Sequence, residues 1–311
     1  MTDLNRRVFL QQVALAGAGL QAGLLSTGLA KASTPPKMSI AKYRTSPTET
    51  EGVAEEATRL TRRVIDNLGG MSRFVSKGDV VWVKPNIAWD RTPEQAGNTN
   101  PDVVATVVKM CFEAGAKDVF VGDNPCNEGK RTYPNSRIQP AAEKVGGRVV
   151  LLDQRKFKKT ALNGKALTEW EIYTDMMEVD TFINIPIAKH HRLSGATLGM
   201  KNLMGICGGS RSRFHQDLTN VLPDLAAFMK PKLTIMDTIR VLPVNGPRGG
   251  NLEDVKRKDT LAAGVDQVAI DAFGAMQLDM EPKDIAHIVE GANRGLGTMD
   301  YKSLSPVESI V

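Results

Sequence analysis

The chain has 311 residues, of which 41% are hydrophobic and 24% are charged, and this composition is typical of a globular protein with a sizeable buried core. The formal net charge of +5 is mild, and only 5% of the residues are aromatic. Because no basic run is interleaved with aromatic residues, the sequence argues against nucleic-acid binding.

The beginning of the chain has the pattern of an export signal. Residues 5–11 read NRRVFLQ and are similar to the twin-arginine signal motif, in which Arg6 and Arg7 are the paired arginines. Gln11 stands where that motif often has Lys. No residue from 8 to 30 is charged, but Gly and Gln keep the stretch only mildly apolar, whereas a membrane anchor of this length needs about 20 mostly apolar residues.

Small residues follow at the two positions that a signal peptidase reads, Ala30 and Ala32. We therefore predict a twin-arginine signal peptide over residues 1–32, cleaved before Ser33. The predicted mature protein is soluble and periplasmic, has the twin-arginine translocase as its partner during export, and keeps no stable membrane span. Without the leader it has 37 basic and 34 acidic residues.

The mature chain alternates between apolar runs and amphipathic segments. After a flexible approach segment over 33–50, the pattern predicts helix 52–68, strand 80–83, helix 101–114, strand 119–121, helix 138–145, strands 148–152, 181–186 and 233–237, and helices 266–278 and 282–293. This rhythm predicts an α/β fold, with a mostly parallel sheet and helices on both faces in a single large domain. Residues 158–178 are predicted to form a small mid-chain excursion of short strands or a hairpin around Asn163-Gly164.

Polar residues follow several of the predicted strands. In open α/β sheets the ligand lies outside the carboxyl ends of the strands, so these residues are candidates for a site, although any one of them alone is more often a solvated loop residue. A catalytic site needs a positioned acid, base or nucleophile. The candidates for that role are Lys84, Asp123, His191, His215 and Asp237.

Residues 194–213 are rich in Gly and carry Lys201, Arg211 and Arg213. Glycines allow backbone amides to approach a ligand, and the cations attract an anion, so the segment predicts a small anionic ligand, with a flexible basic loop as the alternative. It does not match the Walker pattern. The predicted ligand-binding residues are Asn86, Lys189, Lys201, Asn202, Gly205, Gly208 and Arg211.

Two further hypotheses concern metal ligands and cysteines. His191, His215 and Asp217 have donor atoms that suit a divalent metal such as zinc, iron or nickel, although no tight His spacing supports the site. Cys111 falls in an apolar helix and is predicted to be a core residue. Cys126 and Cys207 fall in loops near the predicted site, where an oxidising compartment would allow them to pair.

Several motifs together resemble the domain of unknown function 362 family. They are VKPN at residues 83–86, Lys189-His190, GATLGMKNLMG at 195–205, Asp217-Leu218, Asp237 and GPRGG at 246–250. The resemblance covers residues 77–297, which leaves 33–76 as an N-terminal approach segment and helix and 298–311 as a C-terminal tail. Some relatives carry a ferredoxin-like segment, but this chain has no closely spaced cysteine quartet, so an iron–sulfur cluster is not implied.

The family resemblance implies no established reaction, and two functions remain open. The first is an enzyme that acts on a small anionic substrate at the strand-end edge. The second is a non-catalytic ligand-binding or cofactor-maturation accessory protein of the cell envelope, which would need only the basic Gly-rich segment.

Overall fold

The computed structural model describes residues 35–44 and 53–311. Within them the strands are β1 Met38–Lys42, β2 Val80–Pro85, β3 Asp118–Val121, β4 Arg148–Val149, β5 Phe157–Ala161, β6 Glu169–Tyr173, β7 Thr181–Ile185, β8 Ile187–His191, β9 Gly195–Thr197, β10 Leu233–Leu242, β11 Lys256–Gly264 and β12 Val307–Ile310. The α-helices in the same part of the chain are α1 Val53–Asn67, α2 Pro101–Glu113, α3 Gly129–Asn135, α4 Ile138–Lys144, α5 Thr174–Met177, α6 Gly199–Asn202, α7 Leu218–Met229, α8 Gln267–Gln277 and α9 Ala286–Asn293.

A large sheet runs through the described part of the chain in the order β12-β1-β11-β10-β7-β2-β3-β4. The pairs from β10 through β7, β2 and β3 to β4 are parallel, whereas β11 runs antiparallel to both β1 and β10. Strand β8 continues beyond the end of β7, pairs with β10, and turns back into β9. The predicted α/β fold with a mostly parallel sheet is confirmed.

Helices cover both faces of this sheet. Because side chains alternate along a strand, Val81 and Val83 of β2 pack into one core and Trp82 into the other. Helices α1, α2 and α4 belong to the first core, and α6 to α9 belong to the second, as their buried side chains show. Both cores consist mainly of aliphatic residues with no accessible surface. Because such interiors are closely packed, the strand ends between the two cores are held rigidly.

Strands at one side of the sheet were not predicted from the sequence. Residues 38–42 form β1 where a flexible segment was expected, and β12 in the predicted tail lies beside it. Strand β11 was also missed, because its first half, KRKD, is charged and shows no strand periodicity. The mid-chain excursion is the antiparallel hairpin of β5 and β6, as predicted.

The fold brings the carboxyl ends of β2, β3 and β8 to one edge, where the segment from β9 through α6 also lies. Within residues 35–44 and 53–311, no helix combines the length and the apolar character needed to cross a membrane.

Candidate functional site

A cavity of about 880 Å³ opens at this edge of the sheet. Its volume lies within the range of small-molecule sites. Nine of the predicted site residues line it: Asn86, Asp123, Lys189, His191, Lys201, Asn202, Gly205, Arg211 and His215. Lys84, Gly208, Asp217 and Asp237 do not line it.

The floor beneath the cavity is a fully paired ionic network around Lys84. The Lys84 ammonium has no accessible surface, lies 2.8 Å from the Asp123 carboxylate, and donates to the Asn202 side-chain oxygen at 3.0 Å and to the Pro85 carbonyl at 2.9 Å. All three of its donors are therefore used. The other Asp123 oxygen accepts from the Ile87 amide at 2.7 Å. Burial lowers the pKa of Lys84, and the charge of Asp123 opposes that shift.

Three asparagine side chains extend the floor. Asn202 Oδ1 also accepts from Asn86 Nδ2 at 3.0 Å, and Asn202 Nδ2 donates to Asn184 Oδ1 at 2.8 Å. Asn184 Nδ2 in turn donates to the Gly199 carbonyl at 3.0 Å. The amides therefore lock α6 onto the ends of β2 and β7. Asn184 lies within the predicted strand 181–186 and was not predicted to belong to the site; a polar residue inside that apolar run was the available signal.

Two buried aspartates act on the backbone around the site. Asp237 accepts from the Asn100 amide at 2.7 Å and from the Ile239 amide at 3.1 Å, so it joins β10 to the start of α2 outside the cavity. Asp271 of α8 accepts from the Gly199 amide at 2.6 Å and the Met200 amide at 3.0 Å. These amides begin α6, so an internal carboxylate occupies two N–H groups of the Gly-rich segment that was expected to hold an anion.

On the wall of the cavity, Lys189 is held by neutral partners. Its ammonium donates to Asn86 Oδ1 at 3.0 Å and to the Gly97 carbonyl at 2.5 Å, and the residue is 1% exposed. No carboxylate pairs with it among the described residues. Burial is the main cause that lowers the pKa of Lys189 to about 7; Cys126 opposes this shift, and the charge of Lys201 contributes to it.

Lys201 is the second cation of the wall and has a weaker partner. Its ammonium donates to the thioether sulfur of Met204 at 3.2 Å, a weak acceptor, and the residue is 7% exposed. Within residues 35–44 and 53–311 it has no carboxylate partner. Burial lowers the pKa of Lys201 to about 8, with a further contribution from the charge of Arg211.

Two histidines stack beside these lysines and hold complementary tautomers. The rings of His191 and His215 lie 5.5 Å apart, nearly parallel at 18°. His191 Nδ1 accepts from the amides of Leu193 and Ser194, both at 3.2 Å, so the proton of its neutral ring is on Nε2. His215 Nδ1 faces the Ser212 carbonyl at 3.2 Å, which can only accept, so the Nε2 of His215 carries the free lone pair.

Both histidines are kept neutral by their surroundings. Burial lowers the pKa of His191 to about 3, with contributions from the charges of Lys201 and His215. The same two causes, burial and Lys201, lower the pKa of His215. The pair therefore presents one N–H donor and one basic nitrogen, and neither ring is charged near neutral pH.

Arginines add positive charge around the opening. Arg211 donates to the carbonyls of Asn124 at 2.8 Å and Pro125 at 2.9 Å, which holds the loop after β3. The Arg248 guanidinium lies 5.2 Å from the centre of the Trp89 ring, and Arg192 also lines the cavity. Asp123 is the one carboxylate among the described lining residues, and Lys84 already neutralises it.

The structure does not form the proposed metal site. Asp217 is exposed and accepts from the Asn220 amide at 3.2 Å, where it caps α7, so it does not join the two histidines. Among the described residues no group of three His, Cys, Asp or Glu side chains is arranged to hold a metal ion.

Gly208, a predicted ligand-binding residue, packs against the β5–β6 hairpin. Its carbonyl accepts a hydrogen bond from the Trp170 indole at 3.0 Å.

The proposed cysteine pair is also absent. Cys126 is exposed at the cavity, whereas Cys207 is buried, and both are free thiols, as is Cys111. Cys111 is a core residue, as predicted. The signal residues Arg6, Arg7, Ala30 and Ala32 lie outside the described residues.

The sequence profile of the family described as domain of unknown function (DUF362) matches residues 81–276. A thylakoid-associated protein of Synechocystis sp. is 31% identical over 252 residues, which are 76% of this chain and 74% of that protein.

Two solved structures resemble the chain more distantly. The lactate racemase apoprotein from Thermoanaerobacterium thermosaccharolyticum has a TM-score of 0.44 and 10% identity, over 76% of this chain and 56% of that one. A protein from Thermotoga maritima has a TM-score of 0.38 and 9% identity, over 78% of this chain and 59% of that one. The chain thus spans less than two thirds of the length of either solved structure.

Proposed function

The chain belongs to the domain of unknown function 362 (DUF362) family, and we propose that it is an enzyme that acts on a small anionic substrate bound in the cavity. The observation that carries this proposal is the pair of buried lysines, Lys189 and Lys201, on the cavity wall. Neither lysine has a carboxylate partner within the described residues, whereas Lys84 in the floor beneath the cavity is paired with Asp123.

The energetic argument follows from the burial of these ammonium groups. Removing an ammonium from water without an opposite charge costs several kcal/mol, which is why buried charges are usually paired. Here Lys189 and Lys201 instead face a cavity in which further cations lie near the opening. A carboxylate or phosphate of the substrate would supply the missing negative charge and accept charge-assisted hydrogen bonds from both lysines.

The histidine pair supplies the chemistry that separates an enzyme from a simple binding protein. We assign His215 Nε2 the role of a general base that takes a proton from the bound substrate, because His215 lines the cavity and its Nδ1 faces the Ser212 carbonyl. His191 Nε2–H can donate to a substrate oxygen on which negative charge develops, and a neutral imidazole serves this role without competing for the proton. The ammonium of Lys201 stabilises the same developing charge.

Binding is tested by isothermal titration of the full-length chain with glycolate and with inorganic phosphate at constant ionic strength. We expect one site, with affinity lowered at least about tenfold in Lys189→Met and Lys201→Met, because each loses a charge-assisted hydrogen bond. Lys230→Met removes an exposed lysine at the end of α7 and is the matched control, with unchanged affinity. Absence of a site, or equal affinity in all variants, would refute the proposal.

Catalysis is tested by NMR in deuterated water with pyruvate and glycolaldehyde phosphate as probes. An enzyme of this kind should exchange substrate C–H protons for deuterium, and His215→Gln should abolish the exchange while leaving glycolate binding intact. Binding without exchange in the wild-type chain would favour the accessory-protein alternative.

We further propose that the protein is exported through the twin-arginine pathway and works in the periplasm after cleavage before Ser33. This proposal rests on the sequence of residues 5–11 and on Ala30 and Ala32. Replacing Arg6 and Arg7 by Lys should leave uncleaved precursor in the cytoplasm. Periplasmic protein with an intact leader would contradict the cleavage site.

A further inference from the structure

We infer that Lys201 forms a Schiff base with the carbonyl group of an anionic aldehyde or ketone in the cavity, an inference that rests on the proposed function. It assigns Lys201 a covalent role, whereas the proposed function needs only its charge. Lys201 lines the cavity, and its amine has no oxygen partner among the described residues.

The backbone holds this amine in place. Lys201 lies in α6, whose first amides are bound by Asp271 and whose last residue, Asn202, belongs to the buried asparagine network. Gly199 permits the close approach, because a Cβ there would lie 2.6 Å from an Asp271 oxygen. The side chain therefore leaves a rigid turn of helix and ends at the cavity with a thioether as its polar contact.

Lys189 is the obvious rival, and its hydrogen bonds argue against it. Forming an imine removes N–H donors from the amine, so at Lys189 the buried Asn86 side-chain oxygen and Gly97 carbonyl would each lose a donor. Leaving buried acceptors unsatisfied is unfavourable. At Lys201 the same change gives up only the weak contact with Met204.

The surroundings of Lys201 favour a nucleophilic amine. A lysine is activated when burial or a neighbouring cation lowers its pKa, because the neutral amine attacks the carbonyl. Both causes act on Lys201, whose pKa falls to about 8. The charge of Lys201 in turn lowers the pKa of His191, His215 and the buried His287, whereas the electrostatic effect of Cys126 on Lys201 opposes the shift that burial causes.

The step balances without an oxidant or reductant. The neutral Lys201 nitrogen attacks the carbonyl carbon, a C–N bond forms, and the carbonyl oxygen becomes the hydroxyl of a carbinolamine. His215 Nε2 takes one proton from the nitrogen and passes it to the oxygen to form that hydroxyl. It then takes the second nitrogen proton and passes it to the hydroxyl, which leaves as water, and a C=N bond remains. His191 Nε2–H donates to the oxygen while it carries negative charge.

The experiment traps the imine in the full-length chain with cyanoborohydride and maps the modified lysine by peptide mass spectrometry. The probes are glycolaldehyde phosphate and glycolaldehyde, which differ only in the anion. We expect a single adduct on Lys201, formed at least about tenfold faster with the phosphate-bearing aldehyde and slowed by inorganic phosphate.

Matched variants separate charge from nucleophilicity. Lys201→Arg keeps the positive charge and should lose the adduct, whereas the surface control Lys230→Arg should keep it on Lys201. Trapping on another lysine, or no trapping while inorganic phosphate still binds the wild-type chain, overturns this inference and leaves the proposed function standing. Absence of both trapping and phosphate binding overturns the two together.

Discussion

Lys84 and Lys201 are the same type of residue, both buried and both at the carboxyl edge of one sheet, yet their surroundings differ. Lys84 has a carboxylate at 2.8 Å and two further oxygen acceptors, so its charge and all its donors are satisfied inside the protein. Lys201 contacts one thioether. Lys84 is therefore a structural charge, whereas the charge of Lys201 is available to a ligand. The hydrogen-bond and ionic partners of a buried lysine indicate its role better than its burial does.

The two regions also depend on each other. Asn202 of the floor is the neighbour of Lys201, and Asn86 of the floor accepts from Lys189. The paired network thus fixes the amines that remain unpaired, which is the arrangement expected when a site is preorganised for a charged ligand. Substitutions in the floor should lower the free energy of unfolding, and substitutions in the wall should lower the affinity for the ligand.

The largest expected effect is that of Lys84→Met. It leaves the buried Asp123 carboxylate without its cation, so the free energy of unfolding should fall by about 3–5 kcal/mol. Urea denaturation measures this fall. The double variant Lys84→Met/Asp123→Asn removes both charges and should recover part of the loss. A single variant as stable as the wild type would show that Lys84 is not a structural charge.

Gly205→Ala tests how tightly the floor is packed. A Cβ at this position would overlap Asp123 Oδ1 and lie 2.7 Å from Lys84 Cε, so we expect a loss of about 2–3 kcal/mol in the free energy of unfolding. Gly129→Ala is the control, because there the nearest atom is the end of the flexible Leu151 side chain, at 3.2 Å. Equal effects of the two substitutions would contradict the packing described for the floor.

Unlike Lys84→Met, Lys201→Met should lower ligand affinity without lowering the free energy of unfolding. Replacing an unpaired buried ammonium by an apolar side chain should leave the free energy of unfolding unchanged or raise it by up to about 2 kcal/mol. Affinity for glycolate should nevertheless fall at least about tenfold. Destabilisation comparable to that of Lys84→Met would show that Lys201 has a structural role like that of Lys84.

The pH dependence of glycolate binding gives the smallest effect. A lysine loses its charge as pH rises through its pKa, which is about 7 for Lys189 and about 8 for Lys201, while the carboxylate of glycolate stays ionised. His191, with a pKa of about 3, stays neutral in this range, and Asp123 faces Lys84. Calorimetry between about pH 6 and about pH 8 should therefore show affinity that falls as pH rises, by up to about tenfold per pH unit as Lys189 loses its charge. Affinity that rises with pH would contradict the assignment.

Much of the central sheet could be predicted from the sequence, and the reasons for the failures are physical. Strand β2 and helix α2 are continuous apolar or amphipathic runs, which periodicity detects. Strand β1 follows a Pro-rich segment and half of β11 is charged, so the backbone pairing that makes them strands leaves no such pattern.

The sequence indicated which residues line the cavity better than it indicated the contacts that those residues make. The residues that line the cavity follow strand ends or lie in the Gly-rich segment, where sequence reasoning places ligands. Their partners are remote: Lys84 and Asn202 are 118 positions apart, and Asp271 lies 72 positions from Gly199. Sequence spacing contains no information on such contacts, so the division between the paired Lys84 and the unpaired Lys201 needed the folded structure.

The most direct test of the central claim measures how inorganic phosphate changes the free energy of unfolding of the wild-type chain, Lys201→Met and the control Lys230→Met at constant ionic strength. A ligand at 100 times its Kd stabilises a folded protein by about 2.7 kcal/mol. We predict a saturable gain of this kind in the wild type and in Lys230→Met, and a loss of most of it in Lys201→Met. No saturable gain in the wild type, or the same gain in all three proteins, would contradict the claim that the unpaired lysines hold an anion.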